Sequence, residues 1–353
     1  MIEKQIKAWF RRSVLQWNLN KNDRKMPWKG VKDPYKIWLS EIMLQQTRVE
    51  QGMGYYYRFI KAFPTVQKLA QAPENQVFKL WEGLGYYSRC RNLIETAKKV
   101  SVEMGGSFPD SREGLLSLKG VGPYTASAIG SFAFGLPLAV LDGNVMRVLS
   151  RVFGIREPID QPSVKKKMEE MASCLLDEKN PAAYNQAIMD FGAVVCKPQQ
   201  PDCISCPFRK KCFANLHGMQ AALPVKSKKI KNKERFIYYL VLEHGEKQLV
   251  RKRTGNDIWK GLYEFVWMEK DEPQELDFLQ NLSSWGLPSK RIKKQIIDVS
   301  EEIMHQLTHQ KIRCQFIHIK IDQPVHLEGY TWHTKNAILQ FPFPRLLTRY
   351  LGW

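Results

Sequence analysis

The stretch "LKGVGPYTA", residues 118–126, places Gly120 and Gly122 on either side of a valine, immediately before Pro123 and Tyr124. Pro123 fits the first position of a helix, because its missing N–H would have no partner there. Glycines this close together allow a tight turn and let another molecule approach the backbone. The pattern predicts a turn that leads into a helix, with amides at the helix N-terminus oriented toward an anion such as phosphate.

The sequence around this turn predicts helices before it and strands much later. "SREGLLSL" (111–118) begins after Asp110, which forms a capping-box-like start with Glu113, so a helical hairpin is expected. Helical patterning continues to about residue 213, whereas "RFIYYLVLE" and "RCQFIHIKI" show the alternation of strands. The fold class expected is a mainly α N-terminal region, 1–213, followed by an α+β domain, 235–353.

The segment between these two regions is strongly basic. Residues 223–235, "LPVKSKKIKNKER", contain six Lys and Arg residues against one Glu and have almost no apolar periodicity. We interpret 214–234 as a linker between domains that also lies on a phosphate backbone.

Composition favours a nucleic-acid partner. Lys and Arg outnumber Asp and Glu by 54 to 35, which gives a formal charge of +19 and a pI near 9.5. Such a charge attracts polyanions through counterion release; solubility charge and binding to acidic membranes are the alternatives. No run of 18 apolar residues predicts a membrane span, and the N-terminus predicts an amphipathic helix instead of a signal peptide. An intracellular, soluble protein is therefore expected.

Four cysteines lie close together in "CKPQQPDCISCPFRKKC". They are Cys196, Cys203, Cys206 and Cys212. Four thiols within seventeen residues indicate a metal site, and disulfides are the weaker interpretation because nothing indicates an oxidising compartment. Structural zinc commonly uses two Cys-x2-Cys pairs, whereas here only one pair is tight. The uneven spacing favours an iron–sulfur cluster over zinc.

Two carboxylates are candidates for acid–base chemistry. On the predicted helix "YKIWLSEIMLQQTRVEQ", Glu41 shares a face with Leu44 and Arg48; desolvation would raise its pKa, as a general acid requires. The alternative is a surface glutamate paired with Arg48 or Gln45. In "AVLDGNVMRVL", Asp142 precedes a helix, where it is either an ordinary N-cap or a carboxylate that stays ionised to stabilise a cation. One protonated and one ionised carboxylate can together cleave glycosidic bonds.

Taken together, these motifs resemble a known family. The "LKGVGPYTA" hairpin, the "LDGNVMRVL" aspartate and the cysteine spacing resemble the helix-hairpin-helix DNA glycosylases that carry an iron–sulfur cluster. "MPWKG", "SEIMLQQTRV", "EGLGYYSRCRNL" and "YNQAIMDFGA" are similar to adenine DNA glycosylases of the MutY type, which remove adenine mispaired with 8-oxoguanine. The resemblance implies a 4Fe–4S cluster, a six-helix hairpin subdomain at about 28–135, and an iron–sulfur subdomain made of 1–27 with 136–213.

The resemblance also implies roles for individual residues. Glu41 would protonate adenine and later activate water, Asp142 would stabilise the sugar cation, Asn144 would orient this acidic pair, and Tyr124 would support the transition state. Gly120 and Gly122 would meet a DNA phosphate. The residues implied in substrate binding are Trp28, Lys29, Thr47, Leu84 and Gln186, with Gln46 and Tyr86 inserted into the duplex where the flipped base leaves a gap.

The C-terminal region resembles a MutT-like (Nudix-type) domain that lacks the acidic metal-binding helix, so lesion recognition is expected there instead of hydrolysis. Its "HQLTH" stretch matches the loop that contacts 8-oxoguanine and contains Leu307, Thr308 and His309. Tyr124 stands where endonuclease III-type enzymes have a Schiff-base lysine, so the resemblance implies a monofunctional glycosylase.

The partner expected is double-stranded DNA with A:8-oxoguanine or A:G mispairs, bound by a monomer in the cytoplasm or nucleoid of a bacterium, with no membrane involved. Two alternatives are a bifunctional glycosylase/lyase of the endonuclease III type and a non-catalytic iron–sulfur DNA-binding protein.

Overall fold

A computed structural model describes residues 3–227, 233–288, 292–307 and 310–352. The chain forms two compact units, Met1–Gln71 with Asn92–Lys229 and Ala72–Arg91 with Ile230–Trp353. Within the described residues, no helix is both long and apolar enough to cross a bilayer. A mainly helical region followed by a region with a mixed sheet confirms the predicted fold class.

The first unit is built from helices. They are α1 (Lys4–Lys21), α2 (Pro34–Leu44), α3 (Val49–Ala62), α4 (Val66–Gln71), α7 (Arg112–Leu116), α8 (Pro123–Phe134), α9 (Gly143–Phe153), α10 (Pro162–Leu175), α11 (Pro181–Val194) and α12 (Phe213–Leu216). Helix α5 (Glu74–Trp81) lies in the second unit, and α6 (Tyr87–Glu103) begins there and continues into the first.

Aromatic side chains fill one core of the first unit. Phe10 on α1 stacks on Phe208 with ring centroids 4.8 Å apart, and Trp17 meets Phe191 on α11 edge-on at 5.2 Å. The apolar face of α9, including Val148, packs in the same core. Since α1 and α11 lie far apart in sequence, this core joins the two ends of the helical region.

The predicted hairpin forms between α7 and α8, with one change at its start. Ser111, not Asp110, caps α7, since its side chain accepts a hydrogen bond from the Gly114 amide at 3.2 Å. Gly120 has a φ of +80°, and a Cβ there would lie 3.0 Å from Asn92. This turn position therefore requires glycine for both its backbone conformation and its close approach to α6.

The second unit contains a seven-stranded mixed sheet. Its strands are β1 (Lys233–His244), β2 (Lys247–Lys252), β3 (Tyr263–Lys270), β4 (Lys294–Val299), β5 (Ile303–Gln306), β6 (Gln310–Ile321) and β7 (Thr331–Thr334). The order is β4-β6-β1-β3-β2-β7, with β5 also paired to β6. The central pair β1 and β6 is parallel and the other pairs are antiparallel.

Short helices accompany the sheet. They are α13 (Leu276–Gln280), a 3-10 turn at Leu282–Trp285, α14 (Lys335–Ile338) and α15 (Arg345–Tyr350). Strand β1 is buried along seven consecutive positions, so both of its faces are covered. On one side Trp285 packs with the cluster around Leu240; on the other, Phe316 stacks between Tyr239 and Tyr350.

The unit boundaries differ from the predicted domains in two places. Residues 214–227, assigned above to the linker, pack with the first unit, because the Ile159 amide donates to the Val225 carbonyl and Arg151 donates to the Leu223 carbonyl, both at 3.0 Å. Residues 72–91, assigned to the hairpin subdomain, group with the C-terminal region. Neither exchange has a local sequence signal, since both depend on long-range hydrogen bonds.

Candidate active site

Glu41 lies on α2, a helix that is buried along most of its length. Asp33 caps the first turn by accepting a hydrogen bond from the Tyr35 amide at 2.9 Å, and Pro34 occupies the first position. Burial raises the pKa of Glu41 to about 7, while a hydrogen bond from the Tyr124 hydroxyl opposes the rise and the negative charge of Asp142 adds to it. The carboxyl is therefore a proton donor near neutral pH.

The alternative interpretation of Glu41 as a surface residue is wrong. Only 5% of its surface is exposed, and α2 ends at Leu44 instead of continuing to Arg48. Leu44 and Arg48 therefore do not share a helix, and the expected i,i+4 face does not extend beyond Leu44.

Asp142 is both the N-cap of α9 and part of the same site as Glu41. Its two carboxylate oxygens accept hydrogen bonds from the Val145 amide and the Asn144 side-chain amide, each at 2.7 Å. Burial raises the pKa of Asp142 above its ordinary value, and these two hydrogen bonds act against that rise. The two interpretations of Asp142 are therefore compatible. The hydrogen bond that caps the first turn of α9 also stabilises the ionised carboxylate.

Arg147 connects this carboxylate to the cysteine-rich loop. It donates to the Asn144 side-chain oxygen at 2.8 Å, to the Gly192 carbonyl at 2.7 Å, and through Nε to the Cys196 carbonyl at 2.7 Å. Its positive charge also lowers the pKa of Asp142. Asn144 is therefore fixed from both ends, and its amide can only present its N–H group to Asp142.

Glu41, Asp142 and Asn144 line one cavity of about 460 Å³. The predicted site residues that line it are Trp28, Lys29, Glu41, Thr47, Tyr124, Asp142, Asn144 and Gln186. They come from four separate parts of the first unit, so their meeting is a result of the tertiary fold. A buried carboxyl beside a second, hydrogen-bonded carboxylate in one cavity can carry out acid catalysis and stabilise a developing cation.

Two residues that line the cavity, Arg24 and Lys29, bind a buried aspartate that the sequence did not single out. Asp190 on α11 is fully buried and binds Arg24 at 2.9 Å and Lys29 at 3.0 Å; Asn22 donates to it at 2.9 Å. These contacts tie the segment between α1 and α2 to α11. The sequence pattern that could have identified Asp190 is a single acidic residue on an otherwise apolar helix, between Met189 and Phe191. Glu41 shows the same pattern.

The two residues expected to enter the duplex have unusual backbones. Among the described residues, positive φ outside glycine occurs at Gln46 (56°), Tyr86 (47°) and Gln200 (47°). Such conformations are strained in non-glycine residues and cluster at functional sites. Both Gln46 and Tyr86 are exposed, with 43% of Tyr86 accessible, whereas the neighbouring Leu84 is buried at 4%.

The glycines of the hairpin leave its turn accessible. A Cβ at Gly122 would meet no atom within 4 Å, so the start of α8 is open on that side. Lys119 projects from the turn and pairs with Glu95 at 2.6 Å, with both side chains more than half exposed. The Gly120 carbonyl is held by Gln45 at 3.4 Å, which links the turn to the end of α2.

The four clustered cysteines line one small cavity, of about 20 Å³. Arg151 on α9 contacts the Cys196 Sγ at 3.4 Å and donates to the Lys197 and Pro198 carbonyls at 2.7 and 3.0 Å. In the described part of the chain, no three His, Cys, Asp or Glu side chains form a group that could hold a single metal ion. Of the three cysteines outside this cluster, Cys90 and Cys314 are buried and Cys174 is partly exposed.

The predicted lesion-reading loop is only partly described. Leu307 follows β5, is half-buried, and its amide donates to the Gln310 carbonyl at 2.8 Å. Thr308 and His309 lie outside the described residues.

Family models match both parts of the chain. Residues 39–174 match the HhH-GPD superfamily base excision DNA repair proteins, and residues 237–352 match the NUDIX domain. The first range contains Glu41, Tyr124 and Asp142, whereas Trp28, Lys29 and Gln186, which also line the cavity, lie outside it.

Curated relatives match over most of the chain. An adenine DNA glycosylase of Buchnera aphidicola (subsp. Baizongia pistaciae) is 34% identical, over 89% of this chain and 87% of the relative. The mouse adenine DNA glycosylase is 34% identical, over 89% of this chain and 71% of the relative. Among solved structures, a thermostable thymine-DNA glycosylase is 29% identical with a TM-score of 0.55 and covers 60% of this chain and 98% of its own.

Proposed function

The chain belongs to the adenine DNA glycosylase family, and from this premise we propose that it excises adenine mispaired with 8-oxoguanine or guanine in duplex DNA. The observation that carries the proposal is the buried Glu41, with a pKa of about 7, beside Asp142 in one cavity. This pair supplies the proton donor and the anion that cleavage of an N-glycosidic bond requires.

The reaction proceeds in two steps at this pair. Glu41 donates its proton to N7 of the flipped adenine, and the bond from C1′ to N9 breaks with its electrons going to the base. The sugar is left as a cation that Asp142 stabilises. Water then attacks C1′ and gives its proton to the Glu41 carboxylate, so that adenine and an abasic site are the products. Asn144 keeps Asp142 oriented, and Tyr124 holds the Glu41 carboxyl through its hydrogen bond.

Base extrusion delivers the adenine to this cavity. The glycosidic bond is inaccessible inside a stacked duplex, and unstacking costs about a few kcal/mol. Trp28 and Gln186, which line the cavity, supply an aromatic face and an amide for the base. Gln46 and Tyr86 fill the gap in the duplex, which is consistent with their exposed and strained positions. The Gly120–Gly122 turn binds a phosphate, and Leu307 with the loop after it reads 8-oxoguanine.

Four thiols in the first unit would hold a 4Fe–4S cluster. Cys196, Cys203, Cys206 and Cys212 share one cavity, and four thiols are the usual donor set of such a cluster. When bound, the cluster would brace the loop that contains Arg209 and Lys211; the residues of α9 perform the positioning of Asp142.

A substrate panel tests the proposal. Single-turnover release of base is measured with duplexes containing A:8-oxoguanine, A:G and T:G, the last because a structural relative is a thymine-DNA glycosylase. Release of adenine from the first two, with no release of thymine, is the expected result. Thymine release without adenine release would overturn the assigned substrate. We also propose that the protein acts on DNA as a monomer in the cytoplasm or nucleoid; the charge of +19 supports the binding of DNA.

No strand cleavage is expected with base release. Sodium borohydride should trap almost no protein on A:8-oxoguanine DNA, because the hairpin presents the phenol of Tyr124 instead of an amine. Lys29 lines the cavity, but its ammonium binds the buried Asp190 at 3.0 Å and is not a free nucleophile. A strong trapped band in denaturing gels would contradict a monofunctional mechanism.

Gln46 and Gln200, which both have positive φ, give a matched pair of variants. Gln46→Gly should lower the rate of adenine release about tenfold, because the duplex gap is no longer filled. Its free energy of unfolding should stay near that of the wild type, since relief of about 1 kcal/mol of strain offsets the extra chain entropy that glycine loses. Gln200→Gly removes the same strain in the cysteine loop and should leave the rate unchanged. Equal rate losses in both variants would assign the effect of Gln46 to the backbone alone.

A further inference from the structure

The turn that carries Tyr86 is held by the C-terminal end of the chain, within the same compact unit. Before the turn, Glu82 Oε1 accepts a hydrogen bond from the Phe343 amide at 2.8 Å. After the turn, the Tyr87 hydroxyl donates to the Phe343 carbonyl at 3.4 Å. Residues on both sides of the turn therefore bind the backbone of Phe343, whose ring is fully buried.

Additional contacts fix the helices on either side. Lys79 on α5 donates to the Phe341 carbonyl at 3.1 Å and pairs with Glu82 at 2.8 Å. Arg91 on α6 donates to the Lys260 carbonyl at 2.8 Å. These hydrogen bonds come from two separate stretches of the C-terminal region, so the turn is fixed in position and in orientation.

The turn itself needs such support. Gly83 and Gly85 have φ values of 87° and 77°, and Tyr86 has a φ of 47° without being a glycine. A strained conformation of this kind persists only where the surrounding structure over-determines it. The Tyr86 ring is 43% exposed, so a buried core does not supply that restraint. Local contacts supply part of it, since the Trp81 and Arg89 side chains donate to the Gly85 carbonyl at 3.0 and 3.3 Å and the Arg89 guanidinium lies over the Tyr86 ring. The hydrogen bonds to Phe343 then anchor this turn to the C-terminal region on both of its sides.

We propose that the C-terminal domain presets Tyr86 for insertion into the duplex, with Glu82 as the positioning residue that transmits this restraint. The inference rests on the proposed function, because insertion of Tyr86 is part of it. The C-terminal domain then contributes to extrusion of the adenine as well as to reading the opposite base.

A double-mutant cycle in the full-length protein tests this coupling. Extrusion is followed by the fluorescence of 2-aminopurine placed opposite 8-oxoguanine, and adenine release by single-turnover rates. Glu82→Ala removes the hydrogen bond to the Phe343 amide and the ion pair with Lys79, and it should reduce extrusion about tenfold. In a Tyr86→Ala background the same substitution should change extrusion by less than about twofold, because the residue through which it acts is gone. Additive losses would overturn the inference.

Three further variants separate positioning from general damage. Glu82→Gln keeps an acceptor oxygen and should restore most of the extrusion lost in Glu82→Ala. Arg91→Ala removes an independent anchor and should show the same dependence on Tyr86, so it serves if Glu82→Ala does not fold. Lys252→Ala breaks a contact to Asn75 at 3.1 Å, on the same unit but at the other end of α5, and should leave extrusion unchanged.

The two proposals fail in different ways. A wild-type protein that releases no adenine from any mispair would remove the proposed substrate, and the fluorescence cycle would still decide the coupling. A wild-type protein that is active, together with a Glu82 effect that is independent of Tyr86, would remove only the inference.

Discussion

Glu41→Gln is expected to lower the single-turnover rate of adenine release by about 10³-fold, which lies within the range for loss of a general acid. Glutamine has nearly the same shape as the protonated carboxyl, so packing around α2 is kept, but its amide N–H groups are not acidic and cannot transfer a proton to the base. Binding of A:8-oxoguanine duplex should remain within a few-fold of the wild type. Near-normal turnover in this variant would show that another group is the acid.

The same substitution should change how stability depends on pH. Since the folded state holds the Glu41 proton up to a pKa of about 7, against 4.5 in the reference state, stability is full below about pH 4.5 and is lost as pH rises through 7. The loss approaches about 3 kcal/mol at high pH, as an upper estimate. Glutamine lacks this proton, so the difference in Tm between the variant and the wild type should increase in favour of the variant between pH 5 and pH 8.

The pH–rate profile of adenine release should show the same titration of Glu41. Because the protonated form of Glu41 is the active one, single-turnover rates of the wild-type protein should fall as pH rises above about 7. A rate that is constant from pH 6 to pH 9 would place the acid elsewhere.

Asp142→Asn is expected to reduce the rate of adenine release by about 10²- to 10³-fold, the size of effect seen when a charge-stabilising group is removed. Asparagine is as good an N-cap as aspartate, so α9 should keep its start. Its side-chain NH2 would face the Asn144 N–H where aspartate has an acceptor oxygen, so the free energy of unfolding should fall by about 1–3 kcal/mol. The variant therefore separates the two uses of one side chain. A large loss of stability without a loss of rate would leave only the cap function.

A second readout connects both carboxylates. The negative charge of Asp142 raises the pKa of Glu41, although less than burial does. In Asp142→Asn, the falling limb of the residual pH–rate profile should thus shift toward lower pH. An unshifted limb would indicate that the two groups do not interact during the reaction. Asp142→Ala serves as the comparison, since it removes the cap and the charge together.

Local sequence signals predicted parts of this site well. Asp142 as a cap, Pro123 at the start of α8 and the turn at Gly120 all depend on residues within four positions of each other. The start of α7 is an error of one residue, since Ser111 and Asp110 are both good caps and only the backbone path decides between them. Short-range chemistry was sufficient for the hairpin.

Properties that depend on tertiary packing were not predictable in the same way. Glu41 lies on a helix that is apolar on every side, so periodicity could not show which face was buried, and the helix ended earlier than expected. Its meeting with Asp142, about a hundred residues later, and the burial of Asp190 required the fold. The grouping of residues 72–91 with the C-terminal region depends on hydrogen bonds to Phe341 and Phe343. No local sequence pattern predicts contacts between residues so far apart in the chain.

Helix α9 determines how accurately Asp142 is positioned in the site. Its eleven residues span about 16 Å; Asp142 sits at its first turn, and Arg147 and Arg151 hold the cysteine loop farther along. A displacement of that loop that carried α9 with it by about 1 Å would move Asp142 by a similar amount. Misplacement on this scale costs about a hundredfold in rate. The alignment of the carboxylate with the sugar therefore depends on a loop that makes no contact with the base.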